Sequence, residues 1–165
     1  MAPVPASYGE RLEAALTSLH LWHRFIEFDE PVKTAEQAAK KVRAEKIAKS
    51  IVMIDSNQQP LLAVVSAKDF VSHKKLKALL KVKDVRLANA EEVLEHSGYP
   101  VGGVPPINKI KRVLLDQQLL TDETVIVGGG DINKLVELRT KDIVTALNPT
   151  ITDICKGAVN LTAHG

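Results

Sequence analysis

Ser50-Ile-Val-Met-Ile54, Asp55-Ser-Asn-Gln-Gln-Pro60 and Leu61-Leu-Ala-Val-Val65 run consecutively, two apolar segments around a polar turn that ends in proline. Short runs rich in Val and Ile, broken by Asp, Ser, Asn and Pro, read as an antiparallel β-hairpin. This reading decides the fold class. A doubly wound sheet needs a crossover helix after each strand, and a hairpin in the middle of the chain breaks that rhythm. The sequence therefore predicts an α+β (mixed α/β) fold, a curved mixed sheet flanked by helices.

Moving outward, the neighbouring segments alternate in character. Leu12, Ala15, Leu16 and Leu19 recur at helical spacing and predict an N-terminal helix over about 8–22, and Arg24-Phe-Ile-Glu-Phe28 then switches to a strand pattern. Thr34 with Gln37 three residues on fits a capping box for a helix through about Val42. Beyond the hairpin, Leu76, Leu79 and Leu80 mark one face of a lysine-rich helix, Asp84–Leu87 is a short strand, and Asn89 with Glu92 caps another helix. Arg112–Leu115, Thr124–Val127 and Leu135–Leu138 read as further strands, and Thr140 as the cap of a last helix ending before Pro149. No repeat or linker divides the chain, so residues 1–165 are expected to form one domain with its core over about 24–155.

Composition limits the possible functions. A chain of 165 residues, 45% hydrophobic and 25% charged, can bury one core. A net charge of +2 is too small for non-specific coating of a polyanion, so a nucleic-acid partner has to be met by a local patch. One cysteine, Cys155, excludes an internal disulfide, and no apolar run reaches membrane-spanning length. The N-terminus has neither a basic region nor an apolar core of a signal sequence, and the expected location is the cytoplasm.

Two clusters carry potential chemistry. In Ile47-Ala-Lys49-Ser50-Ile-Val, a lysine begins an apolar strand, where its ammonium either snorkels to water or is held at a defined site. In Gly98-Tyr-Pro-Val-Gly102-Gly103-Val-Pro105-Pro106, adjacent glycines let the backbone approach a ligand while the prolines stiffen it; a tight surface turn is the plainer reading. Gly128-Gly129-Gly130-Asp131 lies between two strands and fits a hairpin turn better than a nucleotide loop, since Gly-x-Gly-x-x-Gly fails at Asn133 and no Gly-Lys-Ser/Thr follows. There is no Gly-x-Ser-x-Gly elbow, and His20 and His23 lack a partner that would complete a metal site. No metal or organic cofactor is expected.

Taken in order, the capped helix at Thr34, the Lys49-Ser50 pair, the Gly/Pro loop and Glu123-Thr-Val-Ile-Val-Gly-Gly-Gly130 resemble the YbaK/ProX family of aminoacyl-tRNA editing domains over about three quarters of the chain. The resemblance implies a barrel-like mixed sheet with helices outside and a pocket between the sheet and the Gly/Pro loop. It implies that Lys49 is essential for deacylation, by binding the terminal phosphate or polarising the ester carbonyl, with Gly102 and Gly103 N–H groups orienting a carbonyl or water. Thr34, Ser50, Tyr99, Pro106, Gly128 and Gly129 are the implied substrate-binding residues. Related chains often have serine where this one has Gly128, which suggests that a small residue leaves room for the aminoacyl group. The family's loop usually has serine before the second proline and glycine soon after it; Pro105 and Asn108 depart from this, which bears on substrate preference.

The activity this implies is trans-editing: hydrolysis of mischarged aminoacyl-tRNA, with Cys-tRNA(Pro) or Ala-tRNA(Pro) expected, by water or by the substrate's own thiol. The alternative is a non-catalytic module that binds tRNA or a synthetase through the same pocket; prolyl-tRNA synthetase is a possible docking partner in either case. Basic residues at Lys40, Lys41, Arg43 and Lys46, at Lys74, Lys75, Lys77, Lys81 and Lys83, and at Lys109, Lys111 and Arg112 could meet acceptor-stem phosphates, or could be solvated helix faces. Of these, Lys46, Lys74, Lys75, Lys77, Lys111 and Arg112 are the candidate tRNA contacts. At 4% aromatic residues, no stacking platform is expected.

Overall fold

The computed structural model describes residues 6–28 and 46–157. In chain order the described elements are α1 (Tyr8–Ser18), β1 (His23–Glu27), β2 (Ala48–Asp55), β3 (Pro60–Ser66), α2 (His73–Leu80), β4 (Val85–Leu87) and α3 (Ala90–Ser97). They continue with β5 (Val113–Asp116), a 3₁₀ turn (Gln117–Thr121), β6 (Thr124–Gly128), β7 (Lys134–Arg139), α4 (Thr140–Leu147) and β8 (Thr150–Thr152). The helix expected after Thr34 lies outside the described residues.

The hairpin of β2 and β3 is the centre of the larger sheet, with Ser50 opposite Val64 and Met53 opposite Leu61. Asp55 makes its turn: the Asn57 and Gln59 N–H groups donate to Asp55 Oδ1 at 2.8 and 3.0 Å, and Gln58 takes a left-handed φ of 64°. Strand order is β4-β2-β3-β5-β8, with β3, β5 and β8 parallel to one another. Parallel strands are covered on both sides, which is why Leu61–Ser66 are buried without alternation. Leu62 and Val64 join the main core with Leu12, Leu16, Val127 and Leu138, while Leu61, Ala63 and Val65 pack on Leu76 and Ile154.

A second sheet, β1-β7-β6, is wholly antiparallel. It meets the first through one parallel bridge, Ile47 to Ile126. The mixed, helix-flanked architecture is thus as expected, but among the described residues the sheet is not closed into a barrel: two sheets share one core and touch at an edge.

Two local expectations change. Thr140 does not cap α4; Arg139 occupies that position without a side-chain bond, and the Thr140 hydroxyl donates to the Asp122 carbonyl at 2.6 Å. Strand β7 runs straight into the helix, so the first helical residue is held by a neighbouring turn. The short strand β8 is an addition to the expected elements. It pairs with β5, and buried Asp116 secures the chain just after it by accepting the Ile154 N–H at 3.1 Å.

Candidate active site

Side chains alternate across β2. Ala48 and Val52 enter the main core with Ser50 on their side, whereas Lys49 shares the opposite face with Ile51 and Met53. Lys49 and Ser50 are therefore neighbours in the chain that look to different faces. The Lys49 ammonium sits 4.9 Å from the centre of the Phe70 ring, a cation–π contact. Burial lowers its pKa from the usual 10.5, opposed by the nearby Asp69 carboxylate and the Cys155 sulfur. Unused hydrogen-bonding capacity lies on both sides of the strand, at Asp69 near Lys49 and at Ser50 on the core side. Among the described residues, the buried side-chain oxygens without a partner are Ser50 Oγ and Asp69 Oδ2. Orphaned buried polar atoms are rare and call for an explanation, of which a ligand is one.

The Gly/Pro loop packs against the end of β6. Two residues beyond the bridged pair, β2 carries Lys49 and β6 carries Gly128, and a Cβ on Gly128 would lie 2.4 Å from the Val104 carbonyl oxygen. That contact corrects the expectation that a small residue at 128 makes room for a substrate: the space is filled by the loop's own backbone. A Cβ on Gly103 would lie 2.1 Å from the Gly130 carbonyl oxygen, and the Gly130 N–H donates to the Gly103 carbonyl at 2.8 Å. The loop and the triple-glycine turn are thus packed backbone on backbone. Gly129 closes that turn by donating its N–H to the Lys134 carbonyl at 3.0 Å.

Pro100–Gly103 form a β-turn in which the Gly103 N–H donates to the Pro100 carbonyl at 2.9 Å and Gly102 takes a φ of 92°. Positive φ at the third turn position is the reason for glycine there. The Gly103 N–H is therefore already engaged, and of the two expected donors the Gly102 N–H is the one without a partner among the described residues. Tyr99 turns away from Lys49. It is buried against α1, its ring 6.2 Å from Tyr8, with the Arg11 guanidinium 5.6 Å above it. Burial pushes its pKa up, with Arg11 opposing. Pro106 is buried beneath the loop, and Thr34 lies outside the described residues.

Cys155 stands behind Lys49 and forms a cluster with Asp69 and Asp116, the three ligand-capable atoms lying within 4.8 Å of one another. This is a hydrogen-bonded cluster by its chemistry. Asp116 already accepts the Ile154 and Gln118 N–H groups, and burial together with Asp116 pushes the thiol up to about 12. A thiol so held is neither a nucleophile nor a ready metal ligand at neutral pH. Asp69 and Phe70 are the site residues that sequence reading missed. Their signal was a lone aromatic in a polar turn, Ala67-Lys-Asp-Phe70, outside any hydrophobic period.

The basic residues divide. Lys75 donates to Asp153 and to the Cys155 carbonyl, both at 2.6 Å, and Arg112 donates to Asp55 at 2.9 Å and to the Pro60 carbonyl at 3.2 Å. Both are structural ties. Among the described residues, exposed Lys74 and half-buried Lys77 on α2 carry no such bond, nor does Lys111, which shares a broad cleft of about 540 Å³ with Lys109, Arg112 and His96, a cleft that Lys49 does not line. Lys46 precedes the site strand.

The family profile of the aminoacyl-tRNA editing domain matches residues 29–146. YwhH of Bacillus subtilis (strain 168), a protein of uncharacterised function, is 30% identical over 153 residues, 88% of this chain and 97% of its own length. The proline–tRNA ligase of Lactobacillus johnsonii is 33% identical over 93 residues, 55% of this chain and 16% of the ligase. Among solved structures, the hypothetical protein APE2540 superposes with a TM-score of 0.81 at 30% identity, over 89% of this chain and all of its own. A candidate trans-editing enzyme for prolyl-tRNA synthetase also superposes at 0.81, with 27% identity over 93% of this chain and all of its own. With more than half of its length matched by that profile and a full-length relative alongside, the chain belongs to the family of YbaK-type aminoacyl-tRNA editing domains.

Proposed function

We propose that this chain is a trans-editing hydrolase that deacylates mischarged prolyl-tRNA, with Ala-tRNA(Pro) or Cys-tRNA(Pro) as substrate. The observation that carries the reading is the partly buried Lys49 ammonium against the exposed Phe70 ring, with the buried Asp69 Oδ2 nearby lacking a hydrogen-bond partner among the described residues. In a family of editing domains, such a site suits the ester carbonyl of an aminoacylated 3′ end. Water attacks the carbonyl carbon, the C–O bond to the ribose breaks, and the proton from water passes to the departing ribose oxygen. Negative charge grows on the carbonyl oxygen meanwhile, and Lys49, with the Gly102 N–H, is the donor to which we assign its stabilisation. With cysteine as the amino acid, its thiol can attack in place of water, helped by proximity: its proton passes to the departing ribose oxygen, and the thiolactone released is hydrolysed by water to cysteine.

The relatives support the tRNA identity: a segment of a proline–tRNA ligase is similar in sequence, and a candidate trans-editing enzyme for prolyl-tRNA synthetase shares this fold. Prolyl-tRNA synthetase is accordingly the docking partner we propose, and the cytoplasm the compartment. None of the described helices is long and apolar enough to cross a membrane. The test is a panel of Ala-, Cys- and Pro-tRNA(Pro) incubated with catalytic amounts of the protein. Multiple turnovers that release alanine or cysteine and spare proline support the proposal. Stoichiometric protection without release would replace it with a binding module.

A further inference from the structure

Phe70 is 68% exposed, beside the partly buried Lys49. A large aromatic ring in that position has no packing reason to face water. Its backbone is nevertheless fixed on both sides: the Phe70 carbonyl accepts the Lys156 N–H at 2.8 Å, Val71 bridges Cys155, and the Ser72 N–H donates to the Ile154 carbonyl at 2.8 Å. The preceding turn is closed by the Asp69 N–H donating to the Ser66 carbonyl at 3.0 Å. The ring is thus presented from a rigid edge, with one face occupied by the Lys49 ammonium. Lys68, His73 and Lys74 flank it, all exposed.

We infer that Phe70 is a stacking platform for the 3′-terminal adenine of the aminoacylated acceptor end. This rests on the editing reading above, in which Lys49 meets the ester. Ester and base hang from the same ribose, so a base belonging to an ester at Lys49 falls within one nucleoside of that ammonium, and the Phe70 ring lies 4.9 Å from it. Every base offers a π-face, and aromatic side chains hold unpaired nucleotides in this way. The flanking cations complement the phosphates on the 5′ side. One ring close to the chemistry suffices for a single terminal base, even in a chain with only 4% aromatic residues.

The test uses the full chain and an acceptor-stem minihelix carrying 2-aminopurine as its 3′-terminal base. Stacking should quench its fluorescence with the wild type and with Phe70→Trp, and not with Phe70→Ala; an equal signal for the alanine variant overturns the inference. In deacylation, Phe70→Ala should raise KM for aminoacyl-tRNA about tenfold, within the range for losing one base–aromatic stack, with kcat nearly unchanged. Hydrolysis of an aminoacyl methyl ester, which has no base, should be the same in both proteins. An equal fall of kcat on both substrates would make Phe70 a positioning residue for Lys49 and would also overturn the inference. Quenching without turnover by the wild type would leave stacking standing and remove the hydrolase reading, so the two are separable.

Discussion

Lys49 combines two properties that a charge-stabilising group needs: partial burial, and a nearby counter-charge in Asp69, whose Oδ2 has no hydrogen-bond partner among the described residues. A donor of this type contributes roughly 2.7–4 kcal/mol to the transition state. Lys49→Ala should therefore slow single-turnover deacylation on the order of a hundredfold or more, with an unchanged circular dichroism spectrum. Because burial lowers the Lys49 pKa, the rate should fall as pH rises through a value below the usual 10.5. Asp69→Asn removes an opposing influence and should move that alkaline limb to lower pH; a limb that stays put in the variant would separate Asp69 from Lys49. Cys155 behaves in the opposite sense. With its thiol pushed up to about 12, it should resist alkylation in the native state, react readily in urea, and be replaceable by alanine with little loss of rate.

At the scale of elements, two glycine contacts and one left-handed glycine shape the loop, and one ion pair secures the hairpin. A methyl group on Gly103 or Gly128 meets backbone atoms at 2.1 and 2.4 Å, which cannot yield as a flexible side chain would. Gly103→Ala and Gly128→Ala should each destabilise the fold by about 1–3 kcal/mol, seen as a drop in Tm of several degrees, before any effect on chemistry. Gly102→Ala is different: its strain is confined to one left-handed residue, about 1–2 kcal/mol, and the donor remains. In the hairpin, Asp55 is 1% exposed at its side chain and joined to Arg112. Burial opposes its charge, but the Gln59 and Asn57 amides and Arg112 outweigh burial and hold its pKa below the usual carboxylate value. That stabilisation is complete above the unfolded pKa, about 3.9, and is lost as pH falls through the lower folded value. Arg112→Ala should lower Tm at neutral pH and shrink the acid-induced loss, since less stabilisation of the carboxylate remains to be lost.

For the molecule as a whole, the candidate tRNA face reduces to the lysines free of structural bonds. Charge removal at Lys74, Lys77 and Lys111 together should weaken tRNA binding and flatten the dependence of log K on log salt, by about 0.7–0.9 for each phosphate no longer neutralised, while kcat at saturation stays the same. An unchanged slope would assign these lysines to solubility.

Much of this was legible in local sequence. The hairpin at Asp55, the capping box of Asn89 and Glu92 and the helix stop before Pro149 follow from side chains acting on backbone a few residues away, and such interactions survive in any tertiary setting. The order of Lys49, the Gly/Pro loop and the triple glycine was enough to identify the family. What the one-dimensional pattern could not hold was the direction of side chains and the use of hydrogen bonds between distant segments. Ser50 and Tyr99 face away from Lys49, the Gly103 N–H is closed within a turn, Arg112 is tied to Asp55, and Asp69, Phe70 and Cys155 arrive at Lys49 from separate parts of the chain. Those facts depend on strand register, on which face of β2 the core covers, and on which donors find partners when the sheets meet; only the packed tertiary structure decides them.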